Sequence, residues 1–195
     1  MAETRTKKEL THERIVDAAS RAIRRAGFDG VGVADIMKEA GLTHGGFYAH
    51  FDSREAMLAE ALDRAGQESL VRISHMVKER SADGASPFRA FVEQYLSERH
   101  LLAPEKGCAV AALASEMPRQ APALAEASVA RIRALVAQVR GMLPAGAARE
   151  APAVVAQLVG AIQIARTLGD STDGRAVLAS VRRLLLERYD ASRPG

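Results

Sequence analysis

The side chains with the clearest chemical potential lie in residues 43–54, the segment THGGFYAHFDSR. Hydroxyl, imidazole and phenol groups stand there beside two adjacent glycines. If this segment is helical, its phenylalanines face inward while Tyr48 and His50 present hydrogen-bonding groups on the outer side. Glycines permit a close approach of the backbone, so the mixture suits a grip on phosphate groups.

Two further features of the segment point to the same chemistry. Gly45 and Gly46 each cost about 1 kcal/mol relative to alanine in a helix interior, and such breaks of a local rule tend to mark function. Arg54 stands at the start of the next predicted helix, where the helix dipole opposes a cation by about 0.3 to 1 kcal/mol. An anion bound at that helix end removes this cost, and a phosphate is such an anion.

Two short helices would position these groups. The first covers residues 33–40 between two glycines, and the second runs from a cap at Thr43 to Phe51. Gly41 can adopt the left-handed conformation of a sharp turn, Leu42 can fill the angle between the helices, and Thr43 can cap the second helix. The pattern predicts a helix-turn-helix.

The composition of the whole chain predicts an all-α protein. Of the 195 residues, 48% are hydrophobic, 26% are charged and 4% are aromatic, which disfavours a sandwich or barrel of strands. Apolar residues recur at helical spacing, and glycine, proline or capping residues separate the segments. About nine helices are predicted, over approximately residues 11–26, 33–40, 43–51, 53–80, 87–103, 108–117, 122–143, 151–168 and 173–189, the last capped by Asp173.

Charge and targeting signals indicate the setting. The net charge of +3 is too small to predict nucleic-acid binding by itself, although residues 1–25 carry seven Lys or Arg against four acidic residues. The longest unbroken apolar run, residues 108–114, is far shorter than the roughly 20 residues of a membrane span, and the charged start has no signal-peptide core. The sequence predicts a cytoplasmic protein without a membrane partner, in which the single Cys108 forms no intramolecular disulfide.

Residues 27–54 resemble the N-terminal segment of the TetR family of bacterial repressors. The matching features are Gly27-Phe28, Asp35-Ile36, Ala40-Gly41, Thr43, Gly45, Tyr48-Ala49-His50-Phe51 and Ser53-Arg54. The resemblance implies a three-helix DNA-binding domain over residues 1–52. It also implies contact with double-stranded operator DNA at Thr43, His44, Gly45, Gly46, Tyr48, His50 and Arg54. Two departures are Val31-Gly32, where the family usually caps the second helix with hydroxyl residues, and Gly46, which is often a hydroxyl residue.

Residues 53–195 are predicted to form a helical ligand-binding and dimerisation domain. Apolar stripes on the last two helices could form half of a four-helix interface in a two-fold dimer, as in TetR-like proteins, or fill the core of a monomer. The stripe residues are Val155, Leu158, Val159, Ile162, Val177, Val181, Leu184 and Leu185. A dimer would hold two recognition helices about 34 Å apart and address a palindromic operator.

A ligand pocket is predicted among the helices of this second domain. Its candidate residues combine apolar walls with polar groups: Phe88, Phe91, Tyr95, His100, Cys108, Met117, Met142 and Arg166. Core packing is the competing interpretation for each of them. Gly107-Cys108 and the helix that follows also resemble a branch of the family in which a cysteine senses electrophiles or oxidants. Arg166 takes the place of a lysine in that comparison, and such a cation favours the reactive thiolate, whereas a buried, inert cysteine is the alternative.

Catalysis finds little support in the sequence. The five histidines include no pair at i, i+3 or i, i+4 spacing, and neither metal-ligand clusters nor nucleotide-binding or nucleophile motifs occur. No cofactor or metal is predicted. We therefore expect a TetR-like transcriptional repressor that a small apolar or electrophilic inducer releases from DNA. The alternatives are a DNA-binding sensor acting through Cys108, an adaptor whose bundle only dimerises, and a helical enzyme of unknown chemistry.

Overall fold

The computed structural model describes residues 5–190, which form nine α-helices and four 3-10 segments with no strand among them. The first four residues of the basic N-terminal arm and the last five of the predicted C-terminal domain lie outside the described residues. The predicted all-α fold is confirmed. The helices are α1 (Lys7–Ala26), α2 (Val33–Glu39), α3 (Arg54–Ala82), α4 (Pro87–Tyr95), α5 (Glu98–Leu102), α6 (Ala109–Leu113), α7 (Pro122–Met142), α8 (Ala151–Leu168) and α9 (Thr172–Tyr189). The 3-10 segments are His44–Ala49, Pro104–Lys106, Met117–Arg119 and Ala145–Glu150.

Helix α1 begins at Lys7 rather than at the predicted Thr11 because a capping box starts it earlier. The Thr6 hydroxyl accepts the Glu9 backbone N–H at 3.2 Å, and the Glu9 carboxylate accepts the Thr6 N–H at 2.6 Å. Two helix-end donors are satisfied in this way. The helix ends at Gly27, whose φ of 79° is the left-handed stop that the sequence predicts.

The second helix of the predicted helix-turn-helix is a 3-10 segment, His44–Ala49, and not an α-helix. Gly41 makes the predicted left-handed turn with a φ of 70°. Thr43 occupies the N-cap position, but its side chain makes no capping hydrogen bond, so the predicted cap is wrong. Two adjacent glycines lower the helix propensity of this segment, which accounts for the shorter, tighter element.

Three boundaries farther along the chain also differ from the predictions. The predicted fifth helix is divided into α4 and α5, because the Ser97 hydroxyl caps a new helix by accepting a backbone N–H at 3.2 Å. The predicted sixth helix is reduced to the five residues of α6, with Cys108 at its N-cap position. Helix α9 is capped by Ser171, whose hydroxyl accepts a backbone N–H at 3.0 Å, and not by Asp173.

Helix α3 connects the two halves of the molecule. Its first part packs against α1, and its remaining length packs against α4 and α7. Helix α8 pairs with α9 and also packs against α7. The buried side chains of both predicted domains belong to one continuous hydrophobic core, so the two halves are in contact rather than joined by a free linker.

One segment, residues 145–168, is long and apolar enough to cross a membrane by length and composition, with a mean hydropathy of 1.3. In the fold it comprises a 3-10 turn and α8. Leu158 and Ile162 on α8 are fully buried in the protein core. A buried core helix passes the same test, and the absence of a membrane partner stays a prediction.

Candidate DNA interface and ligand cavity

The 3-10 segment His44–Ala49 is anchored by aromatic rings and turns its polar groups outward. Phe47 is 2% exposed, and its ring stacks on that of Phe51 at a centroid distance of 5.6 Å. Tyr48 packs edge-on against Phe47 yet is 76% exposed. Thr43 and His44 are exposed as well. The segment therefore presents hydrogen-bonding side chains to the outside.

Gly45 and Gly46 are not required by the packing of this chain. A Cβ atom placed on Gly45 would meet nothing within 4 Å, and one on Gly46 would lie 3.7 Å from Met37 Cε, an ordinary van der Waals contact. Neither glycine has a positive φ. Alanine would stabilise a helix here by about 1 kcal/mol, so the two glycines lower the stability of this segment. The space left by the missing side chains is open to a partner outside the molecule.

His50 lies half-buried beside the same segment. Its Nδ1 atom is buried and has no hydrogen-bond partner among residues 5–190. Burial lowers the pKa of His50, with smaller contributions from His12 and Lys8. The His12 ring stacks on Phe51 at 4.4 Å and its Nε2 atom lies 2.7 Å from a Glu60 carboxylate oxygen. At neutral pH His50 is therefore an uncharged imidazole, which can donate one N–H to an acceptor such as a phosphate oxygen.

Arg54 makes contacts within the N-terminal region. Its guanidinium donates to the backbone carbonyls of Phe28 and Val31, the second at 3.2 Å. These bonds hold the loop between α1 and α2 against the start of α3. Arg54 thus positions the helix-turn-helix, and its direct contact with DNA stays a prediction.

A cavity of about 200 Å³ lies in the C-terminal half, between α3, the α4–α5 region, residues 103–110 and α7. Four of the predicted pocket residues line it: Phe91, Tyr95, His100 and Cys108. The other four do not. Phe88 packs edge-on against Tyr189 at 5.9 Å, Met117 is 3% exposed, and Met142 packs partly buried against the core. Arg166 lies outside the lining, and its guanidinium donates to the His100 backbone carbonyl at 2.8 Å.

His100 organises one wall of the cavity. Its Nδ1 lies 2.7 Å from the Tyr95 carbonyl oxygen, and its Nε2 accepts the Cys108 backbone N–H at 3.0 Å. Only the neutral ring with hydrogen on Nδ1 can make both bonds. Burial lowers the pKa of His100 to about 4, which keeps the ring neutral. A Cβ atom on Gly107 would lie 2.6 Å from this ring, so glycine is required there.

Tyr95 places a phenol in the same cavity. The residue is 4% exposed, and no group of residues 5–190 meets its hydroxyl in hydrogen-bonding geometry. Burial raises the pKa of Tyr95 well above its ordinary value, and the neighbouring Cys108 thiol raises it further. The hydroxyl therefore stays protonated at neutral pH, beside the Cys108 thiol.

Basic residues surround the cavity. Its lining includes Arg72, Arg99, Lys106 and Arg131, and no aspartate or glutamate. Arg72 and Arg131 are partly buried, whereas Arg99 and Lys106 are exposed at the rim. Gly66 leaves room for the Arg131 guanidinium, which a Cβ atom at that position would overlap. The cavity therefore combines apolar walls with positive charge.

A buried arginine of α1 contacts residues beside and within the wall of this cavity. The Arg24 side chain is 1% exposed, and it donates to the Glu68 carboxylate at 2.6 Å and to the Gly107 carbonyl at 3.4 Å. A second connection forms where Glu116 accepts the Phe28 N–H at 2.7 Å. These contacts connect the N-terminal region to the bundle, and the Arg24 contact reaches a residue that lines the cavity.

Residues 15–61 match the model of a family described as bacterial regulatory proteins, tetR family. The chain therefore carries the N-terminal segment of the TetR family. The matched segment contains the helix-turn-helix and the start of α3, so it includes the seven predicted DNA-contacting positions. The resemblance drawn from the sequence is confirmed.

Curated relatives of the chain are transcriptional regulators, which agrees with the prediction of a protein that is not an enzyme. An uncharacterized HTH-type transcriptional regulator of Mycobacterium tuberculosis is 35% identical over 74 residues, 36% of this chain and 37% of the relative. The regulator LmrA of Bacillus subtilis is 29% identical over 118 residues, 60% of this chain and 62% of the relative. The matched part thus spans less than two thirds of either relative.

Solved structures share the complete fold. A TetR-family regulator from Agrobacterium tumefaciens superposes with a TM-score of 0.77 at 23% identity, covering 95% of this chain and 100% of that one. NemR of E. coli, in its reduced form, superposes with a TM-score of 0.73 at 19% identity, covering 92% and 97%. The predicted architecture, a helix-turn-helix followed by a helical bundle, is confirmed.

The residues of the predicted dimer stripe lie partly in the core of the chain and partly at its surface. Five of its residues are between 0% and 9% exposed and lie in the core of the chain itself: Val155, Leu158, Val159, Ile162 and Leu185. Val177 and Val181 are partly buried, and Leu184 is 52% exposed. The α8 residues of the predicted stripe all lie on its buried face, and the outward face of α8 instead carries Ile164 and Leu168, which are 55% and 44% exposed.

Sequence reasoning missed the basic lining of the cavity. Arg72, Arg99, Lys106 and Arg131 lie far apart along the chain, and each resembles an ordinary solvated cation in its local sequence. One signal does exist. Gly66 interrupts a long predicted helix, and an isolated glycine in that setting often marks a close approach.

Proposed function

We propose that this TetR-family transcriptional regulator is a repressor that binds a palindromic operator as a dimer and leaves the DNA when a small molecule fills the cavity. The observation that carries the proposal is the exposed surface of residues 43–48, where polar side chains flank two glycines that internal packing does not demand. Binding to chromosomal DNA requires a cytoplasmic location, which we include in the proposal.

The proposed DNA contact uses the exposed side chains as phosphate donors and the glycines as points of close approach. Thr43, His44 and Tyr48 can donate to phosphate oxygens, which positions a helix-turn-helix on the duplex. Neutral His50 can donate one further N–H. Arg54 supports this surface through the α1–α2 loop, and it reaches phosphate only with donors that the loop leaves free.

The proposed dimer interface lies on the outward faces of α8 and α9. Ile164, Leu168 and Leu184 are large apolar side chains exposed on these two helices, and a second copy packed by two-fold symmetry would cover them. We expect Leu184→Glu, combined with Ile164→Glu, to give a folded monomer in analytical ultracentrifugation. Leu158→Glu is the contrasting variant, because a charge at a fully buried position disrupts folding itself. A double variant that stays dimeric would place the interface elsewhere.

Release from DNA follows from the connection between cavity and α1. A ligand that repositions the residues around Gly107 shifts the carbonyl to which Arg24 is bonded. The ligand binds one arrangement of the two DNA-binding heads better than the other, and by linkage the operator prefers the alternative arrangement. A changed spacing of the heads then no longer matches two successive major grooves.

A selection from random double-stranded DNA tests the proposal, because it requires no operator sequence to be chosen beforehand. The full-length protein should enrich a palindromic sequence, and a mobility-shift titration then compares variants on that sequence. We expect His44→Ala with Tyr48→Phe to weaken binding by about tenfold through lost phosphate contacts. His75→Ala, an equally exposed histidine on α3, should leave the affinity unchanged. Failure to enrich any DNA would overturn the proposed function.

A covalent signal at Cys108 is the second candidate, because this partly exposed thiol opens into the cavity beside Tyr95. Its position as N-cap of a helix of only five residues makes the helix dipole weaker than the sequence suggested. Alkylation of the native protein, followed by mass spectrometry and the DNA-release assay, tests this route with Cys108→Ser as control. Labelling that occurs only after denaturation would eliminate the sensor and leave noncovalent release.

A further inference from the structure

The cavity has an excess of positive charge that the protein does not neutralise. Four cationic side chains line it and no acidic side chain does. Of the acidic residues nearby, Glu68 pairs with Arg24 at 2.6 Å and Asp63 lies 3.6 Å from Arg131. Within residues 5–190, no aspartate or glutamate pairs with Arg72, Arg99 or Lys106. His100 adds no charge to the cavity, because its ring is neutral.

Arg72 experiences this excess most directly. It is partly buried, and its guanidinium donates to the Ser69 hydroxyl at 3.3 Å but to no carboxylate of the described residues. Burial lowers the pKa of Arg72, and the like charges of Arg24 and Arg99 act in the same direction, while the Glu68 carboxylate offsets part of this lowering. A bound anion would remove both penalties, because it supplies the missing counter-charge in a partly desolvated place.

The Tyr95 hydroxyl adds an independent sign of a missing ligand. Tyr95 lines the cavity, and its buried hydroxyl lies beside the Cys108 thiol but meets no described group in full hydrogen-bonding geometry. Buried polar groups without partners are rare in folded proteins, and each calls for an explanation. An oxygen of a bound molecule is the partner that this geometry lacks.

We infer that the cavity binds a small organic carboxylate, with the carboxylate between Arg72 and the rim cations Arg99 and Lys106 and the apolar body against Phe91 and its neighbours. The apolar part of the lining includes Ile73, Phe91, Val110 and Leu135. The Tyr95 hydroxyl donates to a ligand oxygen. The inference rests on the proposed function in taking this cavity as the inducer site.

The size and charge of the cavity argue against other ligand classes. About 200 Å³ is less than the roughly 300 to 1,000 Å³ of typical drug-sized pockets, so the occupant is compact. A cationic ligand is repelled by the lining, and a neutral apolar ligand leaves Arg72, Arg99 and Lys106 without a paired carboxylate. A carboxylate can accept a bidentate pair of hydrogen bonds from an arginine.

Matched acids and amides test the inference on the full-length protein without DNA. Octanoate, 4-phenylbutyrate and 2-naphthoate would each be compared by isothermal titration calorimetry with the corresponding primary amide, which has the same apolar body and no charge. We expect at least one acid to bind about tenfold more tightly than its amide. The preference should shrink as ionic strength rises, because the rim cations are exposed to solvent.

Two pairs of variants locate the charge preference. Lys106→Gln should reduce the affinity for the acid by about threefold or more, whereas Lys78→Gln, an exposed lysine of α3 outside the cavity, should leave it unchanged. Arg72→Gln should reduce it by about tenfold, whereas Arg133→Gln, exposed on α7 and outside the cavity, should not. Because Lys106 is exposed, its variant tests the site even if Arg72→Gln fails to fold.

The inference is overturned if no acid binds more tightly than its amide, or if all four variants bind the acid equally. A mobility-shift assay of the same acid separates this result from the proposed function. Tight acid binding without release of DNA supports the carboxylate site and contradicts its role as inducer site. DNA binding with equal affinities for acid and amide contradicts the carboxylate site alone.

Discussion

The two halves of the molecule direct their polar side chains in opposite directions. In the helix-turn-helix, aromatic rings fill the interior, while Tyr48 and its neighbours face solvent. In the bundle, the Tyr95 phenol, the His100 imidazole and the Arg72 guanidinium face an internal cavity. The first arrangement suits a large, flat partner such as a duplex, and the second suits a small molecule that is enclosed.

The glycines follow the same division. Gly107 and Gly66 are demanded by neighbouring side chains of this chain, whereas Gly45 has open space around it. Glycines in the cavity wall are therefore needed by the packing of the fold, and those of the proposed DNA-binding surface lower its stability. Substitutions at matched positions can separate these two uses.

Lowering the pH should destabilise the cavity wall before the rest of the molecule, and this is the largest effect on stability that we expect. The folded pKa of His100, about 4, lies below the ordinary value of 6.5. The unfolded chain therefore binds the proton more readily than the folded chain. The free energy of unfolding is consequently highest above pH 6.5 and decreases as the pH falls to 4. Unfolding experiments across this range should show a loss of about 3 kcal/mol in the wild type.

Two variants assign this pH dependence. His100→Gln should flatten the decline between pH 6.5 and 4, although the variant starts from a lower stability. His75→Gln, at an exposed position on α3, should retain the full decline. Hydrogen exchange at pH 5 should open amides near residues 96–110 before those of α1, and simultaneous opening of both regions would contradict the contrast.

A methyl group at Gly107 should have the next largest effect. In Gly107→Ala the new Cβ atom would lie 2.6 Å from the His100 ring and 3.0 Å from the Arg166 guanidinium. Overpacking of this kind destabilises by about 1 to 3 kcal/mol, measurable by urea unfolding. Gly141→Ala on α7, where a Cβ atom meets nothing within 4 Å, is the control and should be neutral or slightly stabilising. Equal stabilities would show that the wall can yield.

The smallest effect on stability is expected at Gly45, and it has the opposite sign. Gly45→Ala should raise the free energy of unfolding by up to about 1 kcal/mol, since alanine is the better helix former. The same substitution should weaken operator binding by about tenfold, because the methyl group occupies the space of an approaching phosphate. Thermal unfolding and a mobility shift measured on one preparation decide the matter. A variant that binds DNA normally would show that Gly45 has no role in the contact.

The contrast also explains what could be predicted from the sequence. The helix-turn-helix depends on residues within about thirty positions of one another, so Gly41, Phe47 and Tyr48 could be placed from local spacing alone. The cavity is assembled from α3, α4, α5 and α7, and the spacing of residues along the chain does not show that these helices meet. Four of eight predicted pocket residues line the cavity, because aromatic and sulfur side chains are equally suited to core packing.

The buried face of α8 could not be predicted from the sequence for a similar reason. Both faces of this helix carry apolar residues, so hydrophobicity could not distinguish Ile162 in the core from Ile164 on the surface. The choice is made by the neighbours α7 and α9, which cover one face and leave the other open. A position two residues along a helix is enough to exchange the two roles.

The buried Arg24 bears on how such proteins can be recombined. Its guanidinium belongs to the DNA-reading half, while both of its distant partners, Glu68 and the Gly107 carbonyl, belong to the other half. Grafting residues 1–52 onto a foreign bundle would strand this cation, and removing one partner of a buried ion pair costs about 3 to 5 kcal/mol. A usable crossover point for chimeric regulators therefore lies beyond residue 68, within α3, and still requires a carbonyl at the place of Gly107. In this architecture the helix-turn-helix is bonded to the bundle through Arg24, so residues 1–52 are not an exchangeable unit.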